Sequence, residues 1–383
     1  MSYADGRPIL DADSHLMELP GFLDRFIEAD MVDRLKGREM KALVPMLDRA
    51  TADAAARRTD PAVRAAAEAR LLQDKGWQAM GSFDPAERSE VLDLFGFSGQ
   101  LVFATFATAM FVGRDADLHY AGSAAHNRAV VDFCDGDPRL LPVGYVPLVD
   151  PDRAVTVLKE ALDLGCAAIH VPSTAAGDRS PTHPDLHPFW QVLNDADVPF
   201  VLHVGGGGRL LDRAFHNNGM PVTDHLGGGE NIRSKDYLAI SNSPSLFLGA
   251  LILDGHFDRF PDLRGAAIEE GAAWVVSWLH QIDFAQRAFR RTEKPLTQLA
   301  MRPSDYVRKH LKFTPFPGEP VGWMIEQAGP ELFMFSTDYP HPEGGRDPKA
   351  KFEDTMASVG EGDLERFYYG NMAELIGRVP AVA

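Results

Sequence analysis

From about residue 100 onward, short apolar runs rich in β-branched residues alternate with longer segments of helical period, the pattern of βαβ units around a parallel sheet. The predicted strands are Ile9–Asp13, Leu101–Ala104, Leu141–Val146, Ala167–Val171, Phe200–Val204, Gly265–Glu269, Leu311–Thr314 and Leu332–Ser336. Together with the intervening helices they predict an α/β fold, a (β/α)8 TIM barrel, with the site built on loops after the C-terminal ends of the strands. The helix after the third strand is the clearest: Asp150 caps it, Pro151 takes the first position, Val155, Leu158 and Leu162 recur on one face, and Gly165 ends it. Residues 183–197 and 272–289 repeat the pattern, the second with Trp274, Trp278 and Ile282 on one face.

Two stretches exceed a minimal barrel. Residues 24–98, following the first strand, are rich in Ala, Arg and Asp, and are expected to form an inserted helical lid or dimer arm rather than core. Residues 205–240 contain GGGG, NNG and GGG and are far longer than the usual connection of about 2–6 residues, so a loop there is expected to cover the substrate. Both lie within one domain spanning 1–383.

A chain of 383 residues, 45% hydrophobic and 24% charged, is an ordinary globular enzyme by composition. Acidic minus basic residues, 55 − 38, leaves an excess of 17 negative charges, which argues against duplex nucleic acid or an anionic membrane as partner. Cys134 and Cys166 are too few for a disulfide framework or a structural zinc cage, so a reducing, cytoplasmic setting is expected. The amino terminus lacks a charged region followed by an apolar one, and the apolar run Leu101–Val112 is short and broken by Thr105 and Thr108. The expected partners are a small-molecule substrate and a second copy of the chain in a homodimer.

The chemistry begins at Asp13 and His15, two apart and therefore on one face at the end of a strand. His203 and Asp338 also stand at predicted strand ends, where a barrel delivers side chains to one mouth. Taken singly, His203 reads equally as a core histidine and Asp338 as a turn residue before Tyr339-Pro340. Four such residues at strand ends supply the imidazole nitrogen and carboxylate oxygen that one divalent cation (zinc, manganese or iron) requires. His341 is a candidate proton donor. Arg233 and Lys235 are candidate clamps for a substrate carboxylate. His170 reads as a satisfied inner histidine, and the glycines 205–208 as a flexible turn.

The stretches DADSHLMELP, LLPVGYVPLVDPDRAV, PFVLHVGGGG, FDRFPDLRGAAIEEGAAWVVSWL, FSTDYPHPEGG and GNMAELIGR carry a resemblance. The chain resembles the amidohydrolase-related family of metal-dependent TIM-barrel enzymes, in the branch of aminocarboxymuconate-semialdehyde and resorcylate-type decarboxylases. The resemblance implies that Asp13 and His15 form the first-strand metal pair, His203 the fifth-strand ligand and Asp338 the eighth-strand ligand or proton handler. Where the decarboxylases carry a histidine after the sixth strand, Glu269 stands here, a carboxylate in place of an imidazole.

Several functions follow as expectations. One is a mononuclear metalloenzyme, hydrolase or non-oxidative decarboxylase, acting on a small carboxylated or ring-derived substrate, with Asp338, His341 and Glu269 as its catalytic groups. A count of three carboxylates and two histidines also allows a dinuclear centre of two iron ions with oxygen chemistry. A metal-free binding protein would have shed ligand-type residues, and none of the four is lost.

Overall fold

The computed structural model describes residues 2–35, 44–206, 210–221 and 233–377. Among these, seven strands form one sheet in chain order: β1 (Leu10–Leu16), β2 (Gly99–Ala104), β3 (Leu140–Tyr145), β4 (Ala168–His170), β5 (Phe200–His203), β6 (Gly265–Ile268) and β7 (Leu311–Phe313). Every neighbouring pair is parallel. The connecting helices bury their apolar faces against the sheet, as the helix Pro151–Asp163 does through Ala154, Val157, Leu158 and Ala161, capped by Asp150 on the amide of Arg153. The fold is α/β and TIM-barrel-like.

The expected eighth strand, Leu332–Ser336, is not a regular strand, although it occupies the gap. The amide of Phe313 donates to Leu332 and that of Met334 to Phe313, while Ala12 on β1 donates to the carbonyl of Phe335. Farther along, the amide of Asp338 donates to Asp13 and that of His15 to Tyr339. The segment thus joins β7 to β1. Its ladder is interrupted because the amide of Phe335 donates to Phe367 and that of Thr337 to the carboxylate of Asp11.

Between β1 and β2 lie the helices Ala29–Leu35, Val44–Thr59, Pro61–Glu68 and Pro85–Phe95. Pro61–Glu68 buries none of its residues. Pro85–Phe95 differs from the peripheral expectation, since Val91, Leu92 and Phe95 are fully buried in the main core with Met80 and Phe97. Its charges mask this in the sequence: Glu87 pairs in bidentate fashion with buried Arg57, at 2.9 and 2.8 Å, and accepts from the amide of Gly81. Arg88 donates to the carbonyls of Gly81 and His15, which ties this helix to the end of β1. Residues 36–43 of the excursion lie outside the described residues, as do 207–209 and 222–232 of the long glycine-rich stretch.

Ser234–Leu253 is the one stretch among the described residues long and apolar enough to cross a membrane. It contains two helices, Ser234–Ala239 and Asn242–Leu253, and the second buries Phe247, Leu248, Leu251 and Ile252.

Because Phe95 sits in the core while Val63 is 38% exposed, Phe95→Ala is expected to cost about 3–5 kcal/mol. Val63→Ala should stay within about 0.5 kcal/mol in the same chemical denaturation series. Equal effects would place Pro85–Phe95 outside the core.

Candidate metal centre

β1 brings in the first two groups. Asp13 and His15 alternate with Ser14, whose hydroxyl donates to the carbonyl of Leu101 at 2.7 Å. The register with β2 slips between Asp11 and Ser14, an irregularity of the kind that re-aims side chains beside a site. His203 is the last residue of β5. Glu269 follows β6, and Asp338 lies in the closing segment. Both take left-handed backbone conformations, with φ of 55° and 53°. Such strain in a non-glycine residue persists only where its surroundings hold it. Here the amide of Glu269 donates to Thr314 and that of Asp338 to the carbonyl of Asp13.

These groups converge. His15 Nε2 lies 3.3 Å from Asp13 Oδ1 and 3.5 Å from Asp338 Oδ1, and His203 Nε2 lies 3.4 Å from both Asp13 Oδ1 and Glu269 Oε2. Asp13, His15, His203 and Glu269 can offer one ligand atom each within 4.8 Å of one another, as can His15, Asp338 and His341. All six side chains are buried.

The donor set fits a divalent cation. His203 donates from Nδ1 to the carbonyl of Val204 at 3.0 Å, which leaves the Nε2 lone pair facing two carboxylates. Asp13 Oδ1, His15 Nε2 and Asp338 Oδ2 are buried with no hydrogen bond among the described residues. Burial, with His341 nearby, pushes the His15 imidazole down to about 4, so it stands as a neutral ligand. Buried carboxylates beside neutral imidazoles leave negative charge that a cation offsets.

His341 stacks on His15 with ring centroids 3.9 Å apart. Its Nε2 lies 2.9 Å from Thr105 Oγ1, and its Nδ1 lies 3.1 Å from Asp338 Oδ1. Thr105 in turn donates its hydroxyl proton to the carbonyl of Leu16 at 2.8 Å, so the His341 contact assigns Nε2 as donor. The turn carrying Thr105 is fixed by the carboxylate of Glu18, which accepts from the amides of Thr105, Phe106 and Ala107.

The cluster opens into a cavity of about 390 Å3 walled by His15, His203 and His341 at one end and by Tyr145, His119 and His126 among its other lining residues. Arg233 and Lys235 are not brought into its described lining. Lys235 donates to the carbonyl of Phe215 at 2.6 Å, and Arg233 precedes the helix Ser234–Ala239. His170 is not the satisfied inner histidine expected, because its Nε2 makes no hydrogen bond among the described residues and it lines the cavity. Its position at the end of β4, like that of His203 at the end of β5, is the signal that could have found it. His119 and His126, seven apart on the helix Ala116–Cys134, were legible as one face.

An amidohydrolase family model matches residues 11–378. A γ-resorcylate decarboxylase from Polaromonas sp. strain JS666 is 22% identical over 318 residues, covering 80% of this chain and 92% of that protein. Among solved structures, an amidohydrolase from Mycobacterium avium subsp. paratuberculosis K-10 superposes with a TM-score of 0.74 at 19% identity, covering 97% of this chain and all (100%) of the other. A 5-carboxyvanillate decarboxylase from Novosphingobium aromaticivorans, with bound manganese and 3-methoxy-4-hydroxy-5-nitrobenzoic acid, gives 0.64 at 16% identity, covering 98% and 99%. A parallel barrel-like sheet with histidines and carboxylates gathered at one mouth defines the class, metal-dependent hydrolases and carboxy-lyases. The chain belongs to the amidohydrolase family.

His15→Ala is expected to lower metal affinity by more than the roughly 10–100-fold that loss of an outer-shell partner costs, with an unchanged circular dichroism spectrum. Glu269→Gln should keep about one metal per chain while turnover falls. Full metal occupancy in His15→Ala would remove His15 from the ligand set.

Proposed function

We propose that the protein is a non-oxidative decarboxylase of a small ring carboxylic acid, using one divalent cation of the manganese type held by Asp13, His15, His203 and Asp338. The observation that carries this reading is the His341–Asp338 contact beside the ligand cluster, a proton-holding pair at the mouth of a cavity sized for a single ring. It is supported by relatives that are decarboxylases of γ-resorcylate and 5-carboxyvanillate.

When bound, the cation supplies the positive charge that holds the substrate carboxylate and a neighbouring ring oxygen. The chain's own residues do the rest. Thr105 fixes the His341 tautomer, and the proton between Nδ1 and Asp338 Oδ1 is delivered to the ring carbon that bears the carboxylate. The C–C bond then breaks, its electron pair restores the ring, and carbon dioxide leaves. Phe103, packed against His203 with centroids 4.6 Å apart, keeps bulk water from that face.

Hydrolysis is the second reading, favoured by Glu269: a carboxylate beside His203 is a base, suited to taking a proton from water. A dinuclear iron centre fits less well, because the two ligand groups share His15, whose single Nε2 lone pair serves one cation. A metal-free binding role leaves the buried carboxylates uncompensated. In the same proposal the peripheral helices within residues 44–68 act as a lid or dimer arm of a cytoplasmic homodimer, with exposed Leu238 and Leu246 as apolar contact surface. Arg233 and Lys235 meet a substrate carboxylate only if the segment carrying them moves.

Manganese-loaded protein supplied with hydroxybenzoic acids in deuterated water should release carbon dioxide and leave one deuterium on the vacated carbon. Oxygen uptake matching turnover would sink the proposal. Thr105→Val should lower kcat by about 10²-fold or more with metal content unchanged.

A further inference from the structure

The part of the cavity away from the ligand cluster has its own chemistry. His119 and His126 project from one face of the helix Ala116–Cys134, Tyr145 ends β3 and His170 ends β4. The Tyr145 ring lies 5.3 Å from His170, 6.4 Å from His119 and 6.2 Å from His126, with Phe111 as apolar backing 5.9 Å from Tyr145. His170 is also 6.0 Å from His203, which joins this wall to the ligand cluster.

Much of its hydrogen-bonding capacity is unused among the described residues. Among the described residues, His119 Nε2 and His170 Nε2 are buried without a partner. The Tyr145 hydroxyl makes no hydrogen bond among the described residues, although the residue is 3% exposed. The His126 tautomer is fixed: Asn127 Oδ1 accepts from the amide of Tyr145 at 2.6 Å, so it also accepts from His126 Nδ1 at 3.0 Å, and His126 Nε2 is left as an acceptor. Gly206 packs closely on His170, since a Cβ there would stand 2.6 Å from His170 Nε2. Buried polar groups left this way are costly unless something completes them.

The wall is also uncharged. None of the described lining residues is lysine or arginine. Burial pushes the His126 imidazole down to about 4 and holds His119 below its usual range. A second carboxylate placed here would lose its hydration with no cation to offset it. A hydroxyl or ring carbonyl would find donors and acceptors already aimed at it.

We infer that His119, His126, Tyr145 and His170 form a second recognition subsite that selects ring acids carrying an uncharged hydrogen-bonding substituent and rejects a second anion. The inference rests on the proposed binding of a ring carboxylate at the cation and adds which substrates of that class are taken. Calorimetry on the manganese-loaded full chain, with benzoate and its 3- and 4-hydroxy and 3- and 4-carboxy derivatives, tests it. The better hydroxybenzoate should bind about tenfold tighter than benzoate, and both dicarboxylates at least tenfold more weakly than it. Tyr145→Phe and His119→Leu should each narrow the ratio of hydroxybenzoate to benzoate affinity severalfold, a change that a general loss of structure would not produce. Equal affinities across the series, or ratios unmoved by both variants, would overturn the subsite while leaving the cation site standing. Benzoate binding without manganese dependence would instead count against the proposed function, and failure of every acid to bind would overturn both.

Discussion

The carboxylate of Asp11 is where the barrel closes. Fully buried, it accepts from the amide and hydroxyl of Thr337 at 2.8 and 2.6 Å, from Gln100 Nε2 at 2.8 Å and from the amide of Asp13 at 3.2 Å. Burial pushes its carboxyl up to about 7, against the pull of these donors. One side chain therefore bonds to β2 on one side of β1 and to the closing segment on the other. Asp13 lies two residues beyond it, and Asp338 immediately follows Thr337, so the contact that completes the ring also sets two carboxylates of the metal centre. From outside, Arg88 holds the carbonyl of His15 in place. Ligand geometry and barrel closure are one structural problem here.

That coupling explains what could be read in advance. Strand ends were legible where apolar runs feed straight into the ladder, as at Phe200–His203 and Gly265–Ile268, and the side chains they carry to the mouth could be named from the pattern. The closing segment was legible as an apolar run but not as an irregular one, because its amides turn to Asp11 and Phe367, far away in the chain. Pro85–Phe95 looks like surface helix because Glu87 and Arg88 are charged. Their partners Arg57, Gly81 and His15 make burial tolerable, and no local window contains all three. The surroundings of His170 are equally non-local, since Gly206 on another loop approaches so closely that a Cβ there would stand 2.6 Å from its Nε2.

The cavity is polarised from end to end. Around His15 and His203 the carboxylates concentrate negative charge, whereas toward Tyr145 the polar atoms are neutral and backed by Phe111. A ligand spanning it meets two solvents in succession, one that stabilises charge through a cation and one that stabilises dipoles only. Orientation within the cavity follows from that gradient, with no steric device needed to impose it.

The left-handed backbone at Glu269 and Asp338 has an evolutionary side. Each side chain is aimed by a single bent residue beyond the regular ladder, so exchanging it changes the chemistry at the mouth without altering the pairing of any strand. The bend also filters the exchange. Asparagine, aspartate and histidine are the non-glycine residues most at ease with positive φ, and β-branched residues are the least. The residues easiest to accommodate there are largely those that hold metals and move protons. Such a position can pass from imidazole to carboxylate over a lineage's history and remain useful at each step, and the barrel beneath need not change.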